Sequence, residues 1–543
     1  MPIICKFFVI LIFVPFALKA VDLAFIESKP KGIARDFYIY VYLEDNAKIS
    51  KDDALKLYNL IDNKSYKIMS LLKSRISAQT LPSDAPKEAK CRAKRLHELL
   101  ISDDECFNMG FSLNYAIHLK PKDIARIESP ITKRRVEILR NRTKILEKIL
   151  DSSGEDFNAI YNAISNKGAI FNTAPKNLKN LSNKNFDKSL YHLIISKKYP
   201  KFTRALLREN ISGVNDWSAY ALGLNELENG SKKKALVYFQ QSADNASFKL
   251  MRDKSLFWLY KINELLKDKA KSDEFLNTLA QSTHFNLYSL YAVKKLGANP
   301  KYYIIDENNE IFKEIAQQTN APFDISDPFA WQKMRSEIID IQNKESLVRV
   351  AKLLYHKDSV PHLIFVLNRY FNFQKSFFVK PYKDNLIFDD ENLVYAVARQ
   401  ESAFIPSVIS RSYALGMMQI MPFNVENFAK ALKAENITYE SMFDPRIALR
   451  FGDYYLAHLK KEFSHPLFVS YAYNGGPTFI RVFLKDAKNF SAKNPLDPWL
   501  SMEFIPYEES RFYGFSVMAN YLIYKQIDGE SIDMDAFFAK TLR

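Results

Sequence analysis

The hydrophobic and polar positions along the chain follow a helical period over most of its length. In residues 133–150, three isoleucines and three leucines form two adjacent stripes at i, i+7 and i+11, which together make one apolar helix face. Basic residues occupy the other face, which could bind an anion but is expected to be a solvated surface. Because the same periodicity continues nearly throughout residues 21–370, this part of the chain is predicted to consist of stacked helices.

One predicted helix pair has the spacing of a known repeat. Residues 216–243 resemble a tetratricopeptide-type unit, in which Gly223 permits the two helices to cross closely and Phe239 fills the space between them. The following stretches look like further helix pairs of similar length. Residues 21–305 are therefore predicted to form an irregular helical solenoid, a shape whose concave side usually binds a long ligand.

Two changes of pattern predict the remaining domain boundaries. Helical periodicity continues over residues 306–371, which are predicted to form a helical linker domain, and Pro381 then interrupts it within a charged segment. The final domain is expected to span residues 372–543, an ordinary domain size. Only 14 of the 543 residues are glycine, which disfavours a sheet-rich fold because hairpins and bulges use glycine. The predicted fold class is all-α.

The first twenty residues have the layout of a secretory signal peptide. Lys6 precedes an apolar run of about 10 residues, and the ending Leu18-Lys19-Ala20 predicts cleavage after Ala20 and export. A membrane anchor is the alternative, but the run is far shorter than the roughly 20 residues that span a bilayer. No later segment reaches 18 uninterrupted apolar residues, so the mature chain is expected to be soluble and at most peripheral to a membrane.

Cysteine usage is compatible with an exported protein. Cys5 belongs to the predicted signal peptide, whereas Cys91 and Cys106 remain and could form a disulfide in an oxidising compartment. Two separately buried thiols are the alternative. The sequence does not decide between them.

The candidate chemistry lies in the last third of the chain. Residues 392–401 form a short apolar helix that is expected to stop near Glu401, because Pro406 follows and residues before a proline avoid the helical region. Apolar surroundings and the negative end of the helix dipole both disfavour a carboxylate, so the pKa of Glu401 is expected to be raised, as a general acid requires. Taken alone, a glutamate at this position would more often be an exposed residue at a helix end.

Four sequence blocks follow Glu401 in a distinctive order. They are GMMQIMP at 416–422, AYNGGP at 472–477, MEFIPY at 502–507 and ESRFY at 509–513. Their combination resembles the soluble lytic transglycosylases, whose catalytic domain is similar to goose lysozyme. The resemblance extends over the whole chain as signal peptide, helical superhelix, linker helices and catalytic domain, and the relatives suggest a superhelix that closes into a ring.

The resemblance implies an enzyme that cleaves peptidoglycan without hydrolysis. The β-1,4 bond between N-acetylmuramic acid and N-acetylglucosamine would break and leave a 1,6-anhydromuramoyl end. Glu401, in its ES-x-x-x-P context, matches the catalytic glutamate of the family and would serve as the single general acid and base. The substrate's own N-acetyl group would stabilise the intermediate, so that no protein nucleophile and no cofactor is needed. The same resemblance implies a periplasmic monomer whose partners are glycan strands and cell-wall synthases.

Two other kinds of ligand are disfavoured. The net charge of +15 could indicate nucleic-acid binding, but export makes an anionic cell-wall polymer the expected partner. His458, Glu462 and His465 could share a helix face with spacing that suits zinc. The segment is expected instead to be a solvated helix end, and the family needs no metal.

Further positions match the substrate cleft of the family. The resemblance assigns substrate binding to Ser410, Gln419, Met421, Tyr473, Asn474 and Glu503. Ser410 is expected near the catalytic carboxyl, and the Tyr473 hydroxyl is expected to reach that carboxyl or the N-acetyl group of the substrate. Asn474 could instead be structural, which is the role expected of Arg511 and Tyr513.

The chain departs from the family pattern at a few positions. Tyr413 stands where the family usually has glycine, so the loop after Ser410 must either take another conformation or carry an aromatic ring into the cleft. Met417 replaces the usual leucine at similar volume, and Gly475 replaces the usual alanine.

Two rival functions stay open at the level of sequence. A muramidase on the same fold would use water as the attacking group and would produce reducing ends. A helical scaffold with a degenerate catalytic domain would recruit cell-wall partners without cleaving the wall. The intact set of Glu401, Gln419, Tyr473 and Asn474 argues against the scaffold.

Overall fold

Helices make up nearly all the regular structure in the computed structural model, which describes residues 21–75, 87–140, 144–317 and 323–543. These residues include only two short strands, so the predicted all-α fold class is confirmed. The predicted signal peptide, with its cleavage site after Ala20, lies outside the described residues. Within the described ranges, no helix is long and apolar enough to cross a membrane.

The region predicted to be a solenoid is a succession of helices, many of which pack on near neighbours in sequence. They are α1 (Leu23–Ser28), α2 (Ile33–Asp45), α3 (Lys51–Leu60), α4 (Tyr66–Arg75), α5 (Lys87–Ala93), α6 (Leu96–Leu100), α7 (Asp104–Gly110), α8 (Pro121–Ala125), α9 (Pro130–Arg140), α10 (Ile145–Asp151), α11 (Gly154–Ala163), α12 (Gly168–Phe171), α13 (Ser189–Ile195), α14 (Pro200–Leu206), α15 (Asp216–Glu228), α16 (Lys232–Asp244), α17 (Lys249–Leu265), α18 (Lys269–Ala280) and α19 (Leu287–Leu296). Short 3-10 helices lie at Leu113–His118 and Lys179–Leu181.

The repeat unit predicted for residues 216–243 is the helix pair α15 and α16. Gly223 lies where these helices cross, and a Cβ atom there would come within 2.9 Å of the Phe239 ring. The missing side chain therefore allows the close approach that the sequence predicts. Trp258 of α17 stacks on Phe239 with ring centroids 6.0 Å apart, which continues the core into the next helix.

A disulfide joins α5 to α7. Cys91 and Cys106 are bonded, with their Cα atoms 5.2 Å apart, within the usual range for such a bond. Of the two alternatives that the sequence left open, the structure therefore contains the disulfide. In the chain-entropy model, a loop of this length stabilises the fold by about 3 kcal/mol.

A parallel strand pair joins the two ends of the region predicted to be the linker. The elements in order are β1 (Tyr303–Asp306), α20 (Glu310–Ile315), α21 (Pro328–Asp340), α22 (Lys344–Leu353), a 3-10 helix (Lys357–Ser359), α23 (Val360–Tyr370) and β2 (Lys375–Phe378). β1 pairs with β2 so that Tyr303 lies opposite Lys375. The strands therefore flank residues 306–371 on both sides, and the domain boundaries themselves stay predictions.

The last part of the chain is built around one long central helix. Its helices are α24 (Glu391–Ser402), α25 (Pro422–Leu432), a 3-10 helix (Glu440–Phe443), α26 (Pro445–Phe463), α27 (Pro466–Gly475), α28 (Pro477–Lys485), α29 (Trp499–Glu503), α30 (Glu508–Ile527) and α31 (Met534–Ala539). Both α24 and α27 pack against α30. At the second crossing, a Cβ on Gly514 would lie 2.1 Å from the Tyr471 ring, so glycine is needed there.

The helical region contacts this last part of the chain at two separate places. Near its start, the Phe37 and Tyr40 rings of α2 lie 6.2 and 5.1 Å from the Tyr413 ring, measured between centroids. Further along, the hydroxyls of Tyr220 in α15 and Tyr288 in α19 bond to Glu503 in α29. Both the early helix α2 and the later helices α15 and α19 therefore contact the last part of the chain.

Candidate active site

A carboxyl group lies at the C-terminal end of α24. Residues 393–398 of this helix are all buried, and Glu401 is its last residue but one. Ala403 ends the helix in a left-handed conformation with φ of 50°. The helix thus stops within one residue of the position that Pro406 predicts.

Burial governs the protonation of Glu401. The pKa of Glu401 is raised from 4.5 to about 7, mainly because burial penalises the charged form. Tyr513 acts in the opposite direction, since its hydroxyl donates a hydrogen bond of 2.7 Å to Oε1 of Glu401 and stabilises the carboxylate. The negative charge of Glu509 adds to the rise in this pKa. The raised pKa expected from the sequence is confirmed, and Glu401 can both hold and release a proton near neutral pH.

Tyr513 is the residue of this site that sequence reasoning missed. It was expected to be structural, yet its hydroxyl contacts the candidate catalytic carboxyl. The ESRFY block contains a usable signal, because Glu509 and Tyr513 are four positions apart in α30 and therefore share one helix face. Both members of that face act on the pKa of Glu401.

A glycine turn lies beside the end of α24. Gly416 has φ of 71°, and a Cβ there would lie 1.8 Å from the carbonyl oxygen of Met442, so that only glycine fits. Gln419 is also left-handed, and its side-chain amide donates to the Gly416 carbonyl at 2.8 Å. The Ser402 hydroxyl donates to the Met417 carbonyl at 2.8 Å, which attaches the turn to α24.

Ser410 and Met421 lie at the two ends of this turn region. Ser410 accepts a hydrogen bond of 2.9 Å from the amide of Ala414, so its side chain closes the preceding loop. No hydrogen bond joins Ser410 to Glu401, both of which lie in the described ranges. Met421 is half-buried at the start of α25.

Tyr473 and Asn474 lie at the end of α27 and differ in their surroundings. The Tyr473 hydroxyl donates to the Met418 carbonyl at 2.7 Å, and the charge of Glu401 helps to raise the pKa of Tyr473 beyond the effect of burial. Tyr473 is therefore close to Glu401 without bonding to it. Asn474 accepts a hydrogen bond of 2.7 Å from Ser510, which joins α27 to α30 and favours the structural reading of this residue.

Tyr413 does not carry an aromatic ring into the cleft, which was one of the two alternatives that the sequence suggested. It has φ of 65°, in the left-handed region that favours glycine. Its ring is 1% exposed and is packed against Phe37 and Tyr40 of α2. Tyr413 therefore joins α2 to the last part of the chain.

The prediction that Glu503 binds substrate is wrong. Glu503 is 0% exposed, and its Oε1 accepts hydrogen bonds from Tyr220 at 2.7 Å and from Tyr288 at 2.5 Å. Its Oε2 lies 3.1 Å from the ammonium group of Lys254. All three partners come from helices α15, α17 and α19, so this carboxylate joins them to the last part of the chain and a glycan cannot reach it.

Two of the three side chains considered as zinc ligands, Glu462 and His465, make other contacts. Glu462 forms a bidentate ion pair with Arg481 at 2.7 and 2.9 Å, and His465 caps α27 through the amide of Leu467. No group of three metal-ligating side chains occurs among the described residues.

The fold and the site together define a class of protein. Proteins of this class have an all-α superhelix and a smaller helical region, and a buried glutamate lies in the smaller region. Residues 387–495 match the family model of the transglycosylase SLT domain, so this part of the chain is a transglycosylase SLT domain. The match lies within residues 372–543 and includes Glu401, Gln419 and Tyr473.

Curated relatives are similar to part of the chain. The soluble lytic murein transglycosylase of Escherichia coli K12 is 31% identical over 142 residues, which are 26% of this chain and 21% of that relative. Membrane-bound lytic murein transglycosylase C of Edwardsiella ictaluri is 31% identical over 154 residues, or 25% of this chain and 43% of that relative. The chain thus matches about a fifth of the length of the first of these relatives.

Solved structures resemble the whole fold. The 70-kDa soluble lytic transglycosylase of Escherichia coli superposes with a TM-score of 0.52 at 15% identity, covering 96% of this chain and 84% of that one. An inactive mutant of the lytic transglycosylase Slt from Pseudomonas aeruginosa gives a TM-score of 0.50 at 15% identity, covering 94% of this chain and 85% of that one. The superhelical, lysozyme-like architecture expected from the sequence is therefore confirmed at the level of fold.

Proposed function

We propose that the protein is a peptidoglycan lytic transglycosylase, which cleaves the β-1,4 bond between N-acetylmuramic acid and N-acetylglucosamine. The observation that carries this proposal is the Glu401 carboxyl, whose pKa is about 7 and which bonds to Tyr513 inside a transglycosylase SLT domain. The curated relatives described above are named lytic murein transglycosylases, which supports the same substrate here.

Glu401 first acts as a general acid. In its protonated form it donates a proton to the glycosidic oxygen as the bond from that oxygen to C1 of the muramoyl residue breaks. A pKa of about 7 keeps a large fraction of Glu401 protonated at neutral pH. The carboxylate that remains is stabilised by the Tyr513 hydroxyl.

Glu401 then acts as a general base. Its carboxylate takes the proton from the 6-hydroxyl of the muramoyl residue while that oxygen attacks C1, which forms the 1,6-anhydro ring. Between the two steps the N-acetyl group of the substrate stabilises the positive charge at C1, as in other substrate-assisted glycosidases. One carboxyl therefore serves both proton transfers.

The residues around Glu401 divide into two groups. Gln419, Met421 and Tyr473 are half-buried, and we assign substrate contact to them. We assign support of the cleft walls to Ser410 and Asn474, whose side chains bond to Ala414 and Ser510.

We infer a periplasmic location and peptidoglycan glycan strands as the partner. The signal peptide predicted for residues 1–20 supports export, and the Cys91–Cys106 disulfide fits an oxidising compartment. The mature chain is then a soluble enzyme acting on an anionic wall polymer.

The product mass tests both the reaction and the role of Glu401. Purified peptidoglycan treated with the wild-type protein is expected to yield muropeptides lighter by one water than those with reducing ends. Glu401→Gln cannot supply the proton and is expected to lower the rate by about 10²–10⁴-fold with an unchanged circular dichroism spectrum.

A matched control is Glu435→Gln, which changes an exposed glutamate of the same domain and should keep wild-type activity. Reducing ends as the sole product would identify a muramidase. The absence of any cleavage by wild-type protein would favour the scaffold, and full activity of Glu401→Gln would contradict the mechanism.

A further inference from the structure

The loop of residues 410–414 is attached to two helices near the start of the chain. The Tyr413 ring is 1% exposed, and its centroid lies 5.1 Å from that of the Tyr40 ring in α2. Lys67 of α4 donates a hydrogen bond of 3.2 Å to the Ser412 carbonyl, and its ammonium group lies 5.3 Å from the centre of the Tyr413 ring. An aromatic contact, a cation–π contact and a hydrogen bond therefore hold this loop against α2 and α4.

Tyr413 adopts a backbone conformation that a tyrosine rarely takes. Its φ is 65°, in the region that favours glycine, and the family that the chain resembles usually has glycine at this position. A tyrosine is strained there, whereas a glycine would not be. Such strain persists only where the surrounding structure holds the residue in place, and it is often found at functional sites. The contacts of the Tyr413 ring with α2 and α4 are what hold it here.

One pair of backbone hydrogen bonds connects this loop to two of the residues that we assign to substrate contact. Leu415, two positions after Tyr413, forms an antiparallel bridge with Ile420, and both of its hydrogen bonds measure 2.9 Å. Ile420 lies between Gln419 and Met421 in sequence. A displacement of the loop is therefore transmitted to the backbone of Gln419 and Met421.

The rest of the glycine turn is attached to the catalytic helices. The Ser402 hydroxyl of α24 donates to the Met417 carbonyl at 2.8 Å, and the Tyr473 hydroxyl of α27 donates to the Met418 carbonyl at 2.7 Å. These bonds act on residues 417 and 418, which lie between the two partners of the bridge. The loop of residues 410–414 lies outside the bridge, so its position depends on the contacts that Tyr413 makes.

We propose that Tyr413 is a positioning residue for the proposed reaction, which holds Gln419 and Met421 in the arrangement that binds the glycan by attaching their loop to α2 and α4. The inference deepens the proposed function and rests on it for the identity of the ligand. Tyr413 is not among the residues that act on the pKa of Glu401. Its loss should therefore weaken glycan binding and leave the proton transfers at Glu401 unchanged.

Steady-state kinetics of the full-length mature protein on soluble glycan strands from peptidoglycan test the proposal. Titration calorimetry with tri-N-acetylchitotriose measures saccharide binding without turnover. Tyr413→Gly removes the ring and relieves the backbone strain. It is expected to raise KM and the dissociation constant of the trisaccharide at least about tenfold, with kcat within about twofold of wild type and an unchanged pH profile, because the binding residues are no longer preorganised. Tyr413→Phe keeps the ring and should behave like wild type.

Two further variants separate positioning from a general effect of the substitution. Phe373→Gly is the matched control, because Phe373 also has a left-handed backbone, with φ of 56°, but its ring is 74% exposed. This variant should keep the wild-type KM. Tyr40→Leu removes the partner ring from α2 and leaves the loop sequence intact, so it should raise KM as well. Combining it with Tyr413→Gly should add little to either single effect, since both remove the same contact. Tyr40→Leu also decides the question if Tyr413→Gly does not fold.

Thermal unfolding of each variant is measured alongside. A lower melting temperature in Tyr413→Gly with wild-type KM and wild-type trisaccharide affinity would show that the ring only stabilises the fold, and would overturn the proposal. A lower kcat at unchanged KM would overturn it too. If the wild-type protein does not bind the trisaccharide, the assignment of Gln419 and Met421 to glycan contact fails, and the proposal fails with it. A wild-type protein that binds the trisaccharide but cleaves no peptidoglycan contradicts the proposed function, and weaker binding by Tyr413→Gly would still support the positioning role.

Discussion

Glu401 and Tyr513 form a hydrogen-bonded pair in which two effects act on one pKa. Burial favours the protonated carboxyl, and the Tyr513 hydroxyl, 2.7 Å from Oε1, favours the carboxylate. The balance leaves the pKa of Glu401 near 7, where the same group can give up a proton and take one back. Substitution of Tyr513 or of Glu509, which both act on this pKa, should therefore move the pH range of activity.

Tyr513→Phe removes the hydroxyl that stabilises the carboxylate. The pKa of Glu401 should rise above 7, and the fall of kcat/KM on the alkaline side should move to higher pH because the acid stays protonated longer. The activity at the optimum should fall about 10–100-fold, the usual effect of losing a hydrogen bond to a charged group. The pH profile of peptidoglycan cleavage measures both effects.

The control for this change is Tyr521→Phe, which removes a hydroxyl of the same helix that bonds to Asp390 and not to Glu401. Its alkaline limb should stay in place. An alkaline limb that moves to lower pH in Tyr513→Phe would show that the hydroxyl does not stabilise the carboxylate.

Glu509→Gln removes the negative charge that helps to raise the pKa of Glu401. The pKa of Glu401 should fall, so the alkaline limb of kcat/KM should move to lower pH, and the activity at the optimum should be retained. Glu509 is exposed, so the shift between variant and wild type should shrink in about 1 M salt. A loss of activity by orders of magnitude would instead indicate a second catalytic carboxylate and a hydrolytic mechanism.

At the scale of elements, the glycine turn after α24 depends on backbone geometry that few residues can adopt. Gly416 is left-handed and lies against the Met442 carbonyl, and Tyr413 is left-handed as well. The left-handed backbone of Tyr413 is strained, which lowers the stability of the fold. Burial of its ring against α2 raises the stability and offsets that strain.

Gly416→Ala combines backbone strain with a steric overlap. It should lower the free energy of unfolding by about 2–5 kcal/mol, which guanidinium denaturation measures. Gly230→Ala is the matched control, because Gly230 has φ of 89° and nothing lies within 4 Å of a Cβ there. That variant should lose only about 1 kcal/mol. Equal losses in the two variants would show that the Met442 contact is unimportant.

At the scale of the whole molecule, contacts of two different kinds join the helical region to the last part of the chain. Aromatic packing around Tyr413 joins α2 to the last part of the chain. A buried polar cluster of Glu503, Lys254, Tyr220 and Tyr288 joins α29 to the solenoid. This cluster also places the start of α30, and through it Tyr513, relative to the solenoid.

Replacing one member of the buried Glu503–Lys254 ion pair should lower the free energy of unfolding more than replacing both members. Glu503→Gln leaves the Lys254 charge uncompensated and should lower the free energy of unfolding by about 3–5 kcal/mol. Lys254→Met should be comparably harmful, and the double variant should lose clearly less than the sum of the two. Chemical denaturation of all four proteins measures the coupling.

Glu426→Gln breaks the exposed pair between Glu426 and Lys430 and should change stability by less than about 1 kcal/mol. If the losses of unfolding free energy in the two single variants of Glu503 and Lys254 added up to the loss in the double variant, the two charges would not stabilise each other.

The features that sequence predicted correctly are local ones. The helical period, the close crossing at Gly223 and the end of α24 near Glu401 all depend on residues within a few turns of each other. Burial at the end of an apolar helix is also a local property, which is why the direction of the Glu401 pKa could be predicted.

The features that only the tertiary structure decided are pairings between distant segments. Tyr513 meets Glu401 across 112 positions, and Tyr220 meets Glu503 across 283. Whether a carboxylate is exposed in a cleft or buried between segments depends on the side chains of the distant segment that packs against it. The residues next to it in sequence do not indicate which side chains those are. The sequence by itself therefore determined an all-α chain with one candidate acid, and the tertiary structure decided which side chains surround that acid and which glutamate is buried.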